Sequence, residues 1–323
     1  MDIHTNVTVE RIQISQGRAT SVVTAGNGPD YETRQEIIIS AGALNSLLLL
    51  QRSGIGDGVL LNSLGLEVAV HNPAVGQSLR EHKSISINVA LTGPWSHNQA
   101  LRGPHLMTSL LRYALRRPGA LSSTYEVSAF LKTIPGLAQP DAELMMWAVT
   151  SDRNSDRKLA PESEPAMLLM GYPLRTESTG SICITGIGPD APARIEANFM
   201  RTEHDRNVTI GLFRFMRQLI SQPELKPLVR AESFPGDRVS SDADIIDYCL
   251  RSPTCFHAVG SCSMGGNEEA VVDPLLRVRG VSGLRVVACS VMPTQISGNT
   301  NGPLMALSLA RRRTHHASPL TNR

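Results

Sequence analysis

Two polar runs near the end of the chain hold the residue types best suited to chemistry. The run 254–265 reads TCFHAVGSCSMG and places His257 before a turn rich in Gly and Ser. The run 292–301 reads MPTQISGNTN and contains Asn299. Polar side chains on loops at the ends of rigid strands are where binding and catalysis are usually located. We therefore take these two runs as the candidate site.

The first run also allows two other kinds of chemistry. Cys255, His257 and Cys262 could bind zinc, but no second Cys/His pair lies at the spacing of a zinc finger. Ser263 could be a nucleophile, but Ser261 stands where the G-x-S-x-G elbow requires its first glycine. We predict no metal site, and a serine hydrolase is disfavoured.

The elements that position the second run are a strand and a helix. Residues 284–287 are typical of a strand, from which the chain passes through the polar run into a helix. Leu304, Leu307 and Ala310 have helical spacing, and Pro303 suits the first position of that helix.

The start of the chain is rich in strand-forming residues. We predict strands over 3–9, 11–14 and 19–23, separated by polar turns, and a buried strand over 36–40. The helix predicted over 44–51 is apolar nearly all round, which indicates that it is buried.

The middle of the chain has the pattern of a second domain. Strands are predicted close together, without helices between most of them, which favours an antiparallel sheet. Helices are predicted over 105–116 and after two capping signals, Thr202 with Asp205 and Ser241 with Asp244. The predicted strands are 84–91, 127–133, 143–150, 166–172, 181–187 and 194–199. The alternation of apolar and polar residues in 84–91 predicts that this strand is half-exposed.

Four stretches in this order resemble the signatures of the glucose–methanol–choline (GMC) family of flavin oxidoreductases. They are 40–56, 72–82, 254–265 and 292–301. The resemblance implies an α/β fold with an α+β insertion: a partial FAD-binding domain, and a substrate domain whose antiparallel sheet is flanked by helices. The implied domains are 1–82 for the first FAD-binding part, 83–250 for the substrate domain and 251–323 for the C-terminal FAD-binding part.

The resemblance also implies an activity and a cofactor. Members of the family oxidise an alcohol by hydride transfer to FAD, so this chain is expected to act on a primary alcohol, choline-like or another small one. His257 would be the general base and Asn299 its partner at the substrate oxygen, since a base with a near-neutral pKa and a preorganised amide donor both suit a developing alkoxide. The residues implied to contact FAD are Val9, Ser40, Ala41, Gly42, Ala288, Cys289, Thr300 and Asn301.

Several positions depart from the family pattern. Leu47 stands where proline is usual, and Ser78 and Glu81 stand where Asn and Asp are usual. Many members have a second histidine in place of Asn299. The last strand leads into Ala-Cys-Ser at 288–290, where the family typically has an Asp that helps to seat the flavin pyrophosphate.

The start of the family pattern is also missing. Members open with a G-x-G-x-x-G strand–loop–helix that cradles the pyrophosphate, and no such motif occurs here. We therefore expect a truncated or split form lacking that N-terminal segment, with a separate FAD-binding half as a partner, and its activity alone is in question. Two alternatives stay open: a redox-silent relative similar to hydroxynitrile lyases, and a non-catalytic remnant or partner subunit.

Composition excludes some other classes. A net charge of +2 with scattered basic residues gives no reason to expect nucleic acid binding. Five cysteines, an odd number, do not suggest a disulfide framework, and no apolar run reaches the ~18 residues of a membrane-spanning helix. We expect a cytoplasmic protein.

Overall fold

The computed structural model describes residues 2–26, 28–93, 96–122, 125–151 and 160–316, with the side chains of 311–316 excluded. Its strands are β1 Val9–Ser15, β2 Arg18–Thr24, β3 Tyr31–Glu32, β4 Ile37–Ile39, β5 Ile55–Gly56, β6 Val70–His71, β7 Ile85–Leu91, β8 Val127–Leu131, β9 Ala142–Trp147, β10 Ala166–Pro173, β11 Ser181–Ile184, β12 Ala193–Glu196, β13 Val229–Phe234 and β14 Leu284–Val286. Its helices are α1 Gly42–Arg52, α2 Gly58–Ser63, α3 Gly103–Ala114, α4 Glu203–Ile220, α5 Asp242–Arg251 and α6 Asn301–His316.

The chain divides into two compact units, each built from segments distant in sequence. The first unit comprises Met1–Glu81, Arg175–Phe199 and Phe256–Arg323, and the second comprises His82–Leu174 and Met200–Cys255. The segment 175–199 therefore lies in the first unit, whereas the sequence placed it in the middle domain. The functional roles assigned to the domains stay predictions.

The first unit begins with an antiparallel hairpin. β1 pairs with β2 across the turn Gln16–Gly17, and β3 adds two residues at the edge of β2. The strand predicted over 3–9 is wrong, because 3–8 are coil and only Val9 belongs to β1. Thr and Val favour a strand only where a neighbouring strand can pair. The Thr8 carbonyl accepts from the Ala25 N–H at 2.9 Å, and this single hydrogen bond does not extend β1 back to residue 3.

A parallel strand pair forms the centre of the first unit. β4 pairs with β14 in the register Ile39 to Val286, and the Val287 N–H extends the ladder to the Ile39 carbonyl at 2.8 Å. The predicted strands over 36–40 and 284–287 are confirmed, although Ile38 is exposed and β4 is buried on one face only. α1 follows β4 directly and buries residues 46–51 in the core of this unit, as predicted.

The second unit is built on a five-stranded antiparallel sheet in the order β13-β7-β10-β9-β8. This confirms the predicted antiparallel sheet for four of its six strands; the strands predicted over 181–187 and 194–199 pair with each other as β11 and β12 in the first unit, and β13 was not predicted. β7 is buried along its whole length, so the prediction of a half-exposed strand is wrong. It lies between β13 and β10, and the polar groups on it have partners inside the unit. Tyr248 Oη donates to the Ser86 carbonyl at 2.7 Å, and Asn88 Nδ2 donates to Glu162 at 3.3 Å.

Both capping signals begin helices as predicted. Thr202 Oγ1 accepts from the Asp205 N–H before α4, and Ser241 with Asp244 forms a reciprocal capping box at α5. The large apolar side chains that α4 buries are Val208, Leu212, Phe213 and Met216, whereas Phe215 and Leu219 are only half-buried.

The last helix starts earlier than the sequence suggested. α6 begins at Asn301, so Pro303 is its third residue and not its first. Leu304 and Leu307 are half-buried, and Ala310 is exposed. In the part of the chain that the structure describes, no helix is long and apolar enough to cross a membrane.

Candidate active site

His257 lies in a loop of the first unit, and two side chains form hydrogen bonds with its backbone N–H and carbonyl. Its N–H donates to Glu81 Oε1 at 2.7 Å, and its carbonyl accepts from Gln295 Nε2 at 3.2 Å. Since His257 belongs to neither a helix nor a strand, these two side chains fix the course of the backbone on either side of it. The imidazole is half-buried.

The loop around His257 is paired with the segment that carries Glu81. Arg80 and Val259 exchange backbone hydrogen bonds of 3.0 and 2.9 Å. Gly260 has a φ of +91°, and a Cβ there would lie 2.1 Å from the Ser78 carbonyl oxygen. Only glycine therefore fits this position without displacing the loop.

The second polar run is tied to the same segment. Arg80 Nη1 donates to the Pro293 carbonyl at 2.7 Å, so one arginine contacts both runs. Gln295 is 5% exposed, and its Oε1 is buried without a hydrogen-bond partner among the described residues. Asn299 follows on the exposed part of this loop. The structure thus anchors the loops of His257 and Asn299 to each other, and their catalytic roles stay predictions.

Five of the predicted FAD contacts lie at the carboxyl ends of β4 and β14. Because the two strands are parallel and paired, Ser40–Gly42 and Ala288–Cys289 leave the sheet at the same edge. The His257 loop joins this edge, since Ser261 Oγ donates to the Ala43 carbonyl at 2.7 Å and the Cys262 N–H donates to the Ser290 carbonyl at 2.9 Å.

Gly42 opens α1 in a conformation that suits an approaching ligand. Its φ is +81°, and among the described residues no atom outside the adjoining backbone lies within 4 Å of the position that a Cβ would take. The first N–H groups of a helix attract anions, so the open space at this glycine fits a phosphate of a dinucleotide.

A cavity of ≈ 550 Å³ in the first unit is lined by two further predicted contacts, Val9 and Ala41. Its walls are mostly apolar, and polar groups come from Thr8, Asn45 and Arg52. A concave apolar site with a few polar groups suits a flat heteroaromatic ring. Burial lowers the pKa of Arg52, although Glu10 nearby acts in the opposite direction. These residues fit the adenosine part of FAD.

The remaining predicted contacts, Thr300 and Asn301, lie at the start of α6. Thr300 is buried, and its carbonyl accepts from the Leu304 N–H at 3.0 Å. Asn301 is exposed. This places both at a helix N-terminus, and their contact with FAD stays a prediction.

Two of the cysteines, Cys262 and Cys249, are buried and keep their thiols protonated. Cys262 is fully buried, and burial raises the pKa of its thiol to about 12. Burial raises the pKa of the Cys249 thiol to about 12 as well. Within the described ranges, no group of three or more potential metal ligands is found.

Several residues whose side-chain contacts support the loops and the second unit had no signal in the sequence. Sequence reasoning noted Glu81 only as a departure from the family pattern, and it gave Gln295 no role. In the second unit it missed an aromatic pair, Tyr125 and Trp147, whose ring centroids are 5.9 Å apart at 71°. The Glu126 carboxylate, 37% exposed, lies next to Tyr125 in sequence and 3.3 Å from His97 Nε2. No sequence pattern connects these positions.

Comparisons with known proteins agree with the signatures. The GMC oxidoreductase N-terminal family model matches residues 1–84, and the C-terminal model matches residues 176–308. The oxygen-dependent choline dehydrogenase of Staphylococcus xylosus is 31% identical over 95% of this chain and 56% of its own length. The oxygen-dependent choline dehydrogenase of Rhizobium johnstonii is 34% identical over 91% of this chain and 54% of its own length. Human mitochondrial choline dehydrogenase is 30% identical over 93% of this chain and 51% of its own length.

Solved structures show the same fold. Formate oxidase of Aspergillus oryzae superposes with a TM-score of 0.86 at 23% identity, over 96% of this chain and 60% of that one. Pyridoxine 4-oxidase of "Mesorbium loti" superposes with a TM-score of 0.78 at 24% identity, over 97% of this chain and 58% of that one. The chain spans about half the length of the curated relatives that it matches. The match over 1–84 does not support the expectation that the family's N-terminal domain is lacking, nor a separate half as a partner.

Proposed function

The chain belongs to the GMC oxidoreductase family, and we propose that it performs the FAD-dependent oxidation of a primary alcohol, with His257 as the general base. The observation that carries the proposal is the double side-chain anchor on His257, from Glu81 and Gln295, in a loop tied to that of Asn299. A catalytic base needs a fixed position, and side-chain anchors on an irregular loop provide it.

In this proposal His257 takes the proton of the substrate hydroxyl as the alcohol becomes a carbonyl compound. Asn299 donates a hydrogen bond to the substrate oxygen while negative charge develops there. FAD, when bound, supplies the acceptor for the hydride that leaves the alcohol carbon. A positioned base typically accelerates such a step by ~10²–10⁴.

The residues proposed to hold FAD belong to the first unit. Val9 and Ala41 would line the adenosine site with the apolar walls of the ≈ 550 Å³ cavity. Gly42 would leave room for a phosphate at the N-terminus of α1. The chain has no carboxylate at 288–290, so the neutral Ala288 and Cys289 would meet the cofactor at the end of β14.

For the substrate we propose a primary alcohol that carries a positive charge. The relatives reported above are named choline dehydrogenases.

The test compares choline with its neutral isostere 3,3-dimethylbutan-1-ol in anaerobic reduction of the FAD-loaded protein, followed by flavin absorbance. Choline should reduce the flavin at least about tenfold more efficiently, a difference of about 1.4 kcal/mol. Equal use of both alcohols would refute the cationic substrate, and no bleaching by any alcohol would refute the oxidation and favour a redox-silent relative.

A further inference from the structure

Helix α3 leaves an apolar face open to solvent. In the whole helix only Ser109 is buried. Met107, Leu110 and Leu111 are 68%, 45% and 60% exposed, and their spacing places them on one side of the helix. Tyr113 and the following Leu115 are also exposed. We call Met107, Leu110, Leu111, Tyr113 and Leu115 the α3 face.

This exposure distinguishes α3 from the other long helices of its unit. α4 buries Val208 and Leu212, and α5 buries Ile245 and Tyr248. An amphipathic helix normally turns its apolar stripe to the core, and a contiguous exposed apolar patch marks a surface that another structure covers.

The charged residues of the chain segment that carries the α3 face have one sign. From 98 to 125 the sequence contains no Asp or Glu, whereas Arg102, Arg112, Arg116 and Arg117 are all present and exposed. Arg112 donates to the Pro118 carbonyl, which holds its guanidinium at the C-terminal end of the helix. The covering structure should therefore be apolar and negatively charged.

We propose that the α3 face docks on the surface of an anionic phospholipid bilayer, with the apolar residues in the interface and the arginines at the headgroups. An interfacial helix combines these same features, a leucine-rich face and arginines with no acidic residues. A second copy of the chain fits less well, because a symmetric contact would bring the arginines of both copies together without a compensating acid in this stretch. The inference is independent of the proposed activity, since it rests on other residues.

Vesicle flotation of the full chain tests the proposal. We expect binding to vesicles of 70% phosphatidylcholine and 30% phosphatidylglycerol, and much weaker binding to pure phosphatidylcholine. Each arginine near an anionic surface contributes about a fivefold change in partitioning, so Arg112→Gln should weaken binding about fivefold and added salt should weaken it further. The double variant Leu110→Ser/Leu111→Ser should weaken it at least about tenfold.

The matched control is Val59→Ser on α2, a side chain that is 79% exposed in the other unit, and its partitioning should not change. All these positions are on the surface, so thermal unfolding should confirm that each variant is folded. Absence of binding to anionic vesicles would overturn the proposal, as would unchanged binding of the double variant. A concentration-dependent dimer of the unaltered chain that the double variant loses would also overturn it and assign the α3 face to a second copy.

Discussion

Replacing Glu81 should reveal how strongly the catalytic loop depends on its anchor. The carboxylate accepts the His257 N–H at 2.7 Å, and a hydrogen bond to a charged group contributes about 1.5–3 kcal/mol, against about 1 kcal/mol for a neutral one. Glu81→Gln keeps an acceptor oxygen and should cost about 1 kcal/mol of unfolding free energy. Glu81→Ala removes the acceptor and should cost about 2–3 kcal/mol.

The kinetic effect should exceed the effect on stability. Without the acceptor the His257 backbone is free to shift, and a misplacement of about 1 Å at a reacting group can cost about 10²-fold in rate. We therefore expect Glu81→Ala to slow alcohol-driven flavin reduction about 10²-fold, and Glu81→Gln to slow it by less than about tenfold.

Two assays on FAD-loaded protein separate these effects: anaerobic stopped-flow flavin reduction, and thermal unfolding, where 1 kcal/mol corresponds to about 2–4 °C. Glu67→Ala, on an exposed position of the same unit, is the control and should change neither. Flavin reduction at the original rate in Glu81→Ala would refute the anchoring role. An equal loss in the Gln and Ala variants would show that the charge, and not the hydrogen bond, is what His257 needs.

Three further predictions concern the backbone, the thiols and a helix cap. Gly260→Ala should lower the free energy of unfolding by at least about 1–2 kcal/mol because of the positive φ alone. The overlap of the new Cβ with the Ser78 carbonyl oxygen should also displace the loop and slow flavin reduction more than tenfold. A variant with unchanged melting temperature and reduction rate would contradict this. Cys249 and Cys262 should not react with a thiol reagent at pH 8 in the native protein, because burial raises each pKa to about 12 and keeps the thiol protonated; rapid labelling before denaturant is added would show that they are accessible. Ser241→Ala should destabilise the second unit by about 1 kcal/mol in chemical denaturation, which is the usual effect of removing an N-cap side chain. An unchanged denaturation midpoint would show that the Ser241 cap does not stabilise the unit.

Local signals in the sequence predicted much of the fold. The caps at Thr202 and Ser241 and the strand–helix joint at 36–51 depend on residues within a few positions of each other, and the structure confirms them. Predictions that depend on distant neighbours were less accurate. The burial of β7 follows from its central place in the sheet, which its own residues do not specify.

The position of 175–199 shows the same limit. Ile182 and Ile184 belong to the core of the first unit, and the Ile182 N–H donates to the Gly76 carbonyl at 2.8 Å. The strand pattern of this segment is the same as that of the sheet strands before it. Only the three-dimensional contacts assign it to the first unit.

The candidate site was predictable in its residues but not in its supports. The two signature runs identified His257 and Asn299. The anchors of His257 are 176 and 38 residues away along the chain, at Glu81 and Gln295, and neither spacing corresponds to a known motif. Such side chains are found only when the folded loops are seen together.

The central claim is that His257 accepts the hydroxyl proton during alcohol oxidation. Its most direct test is stopped-flow flavin reduction by the alcohol in FAD-loaded His257→Ala, with the FAD content measured in parallel. The proposal predicts a rate lower by ~10²–10⁴ with FAD content nearly unchanged, and a smaller loss of ~10–10³ in Asn299→Ala. Reduction of the His257→Ala flavin at the rate of the unaltered protein would contradict it.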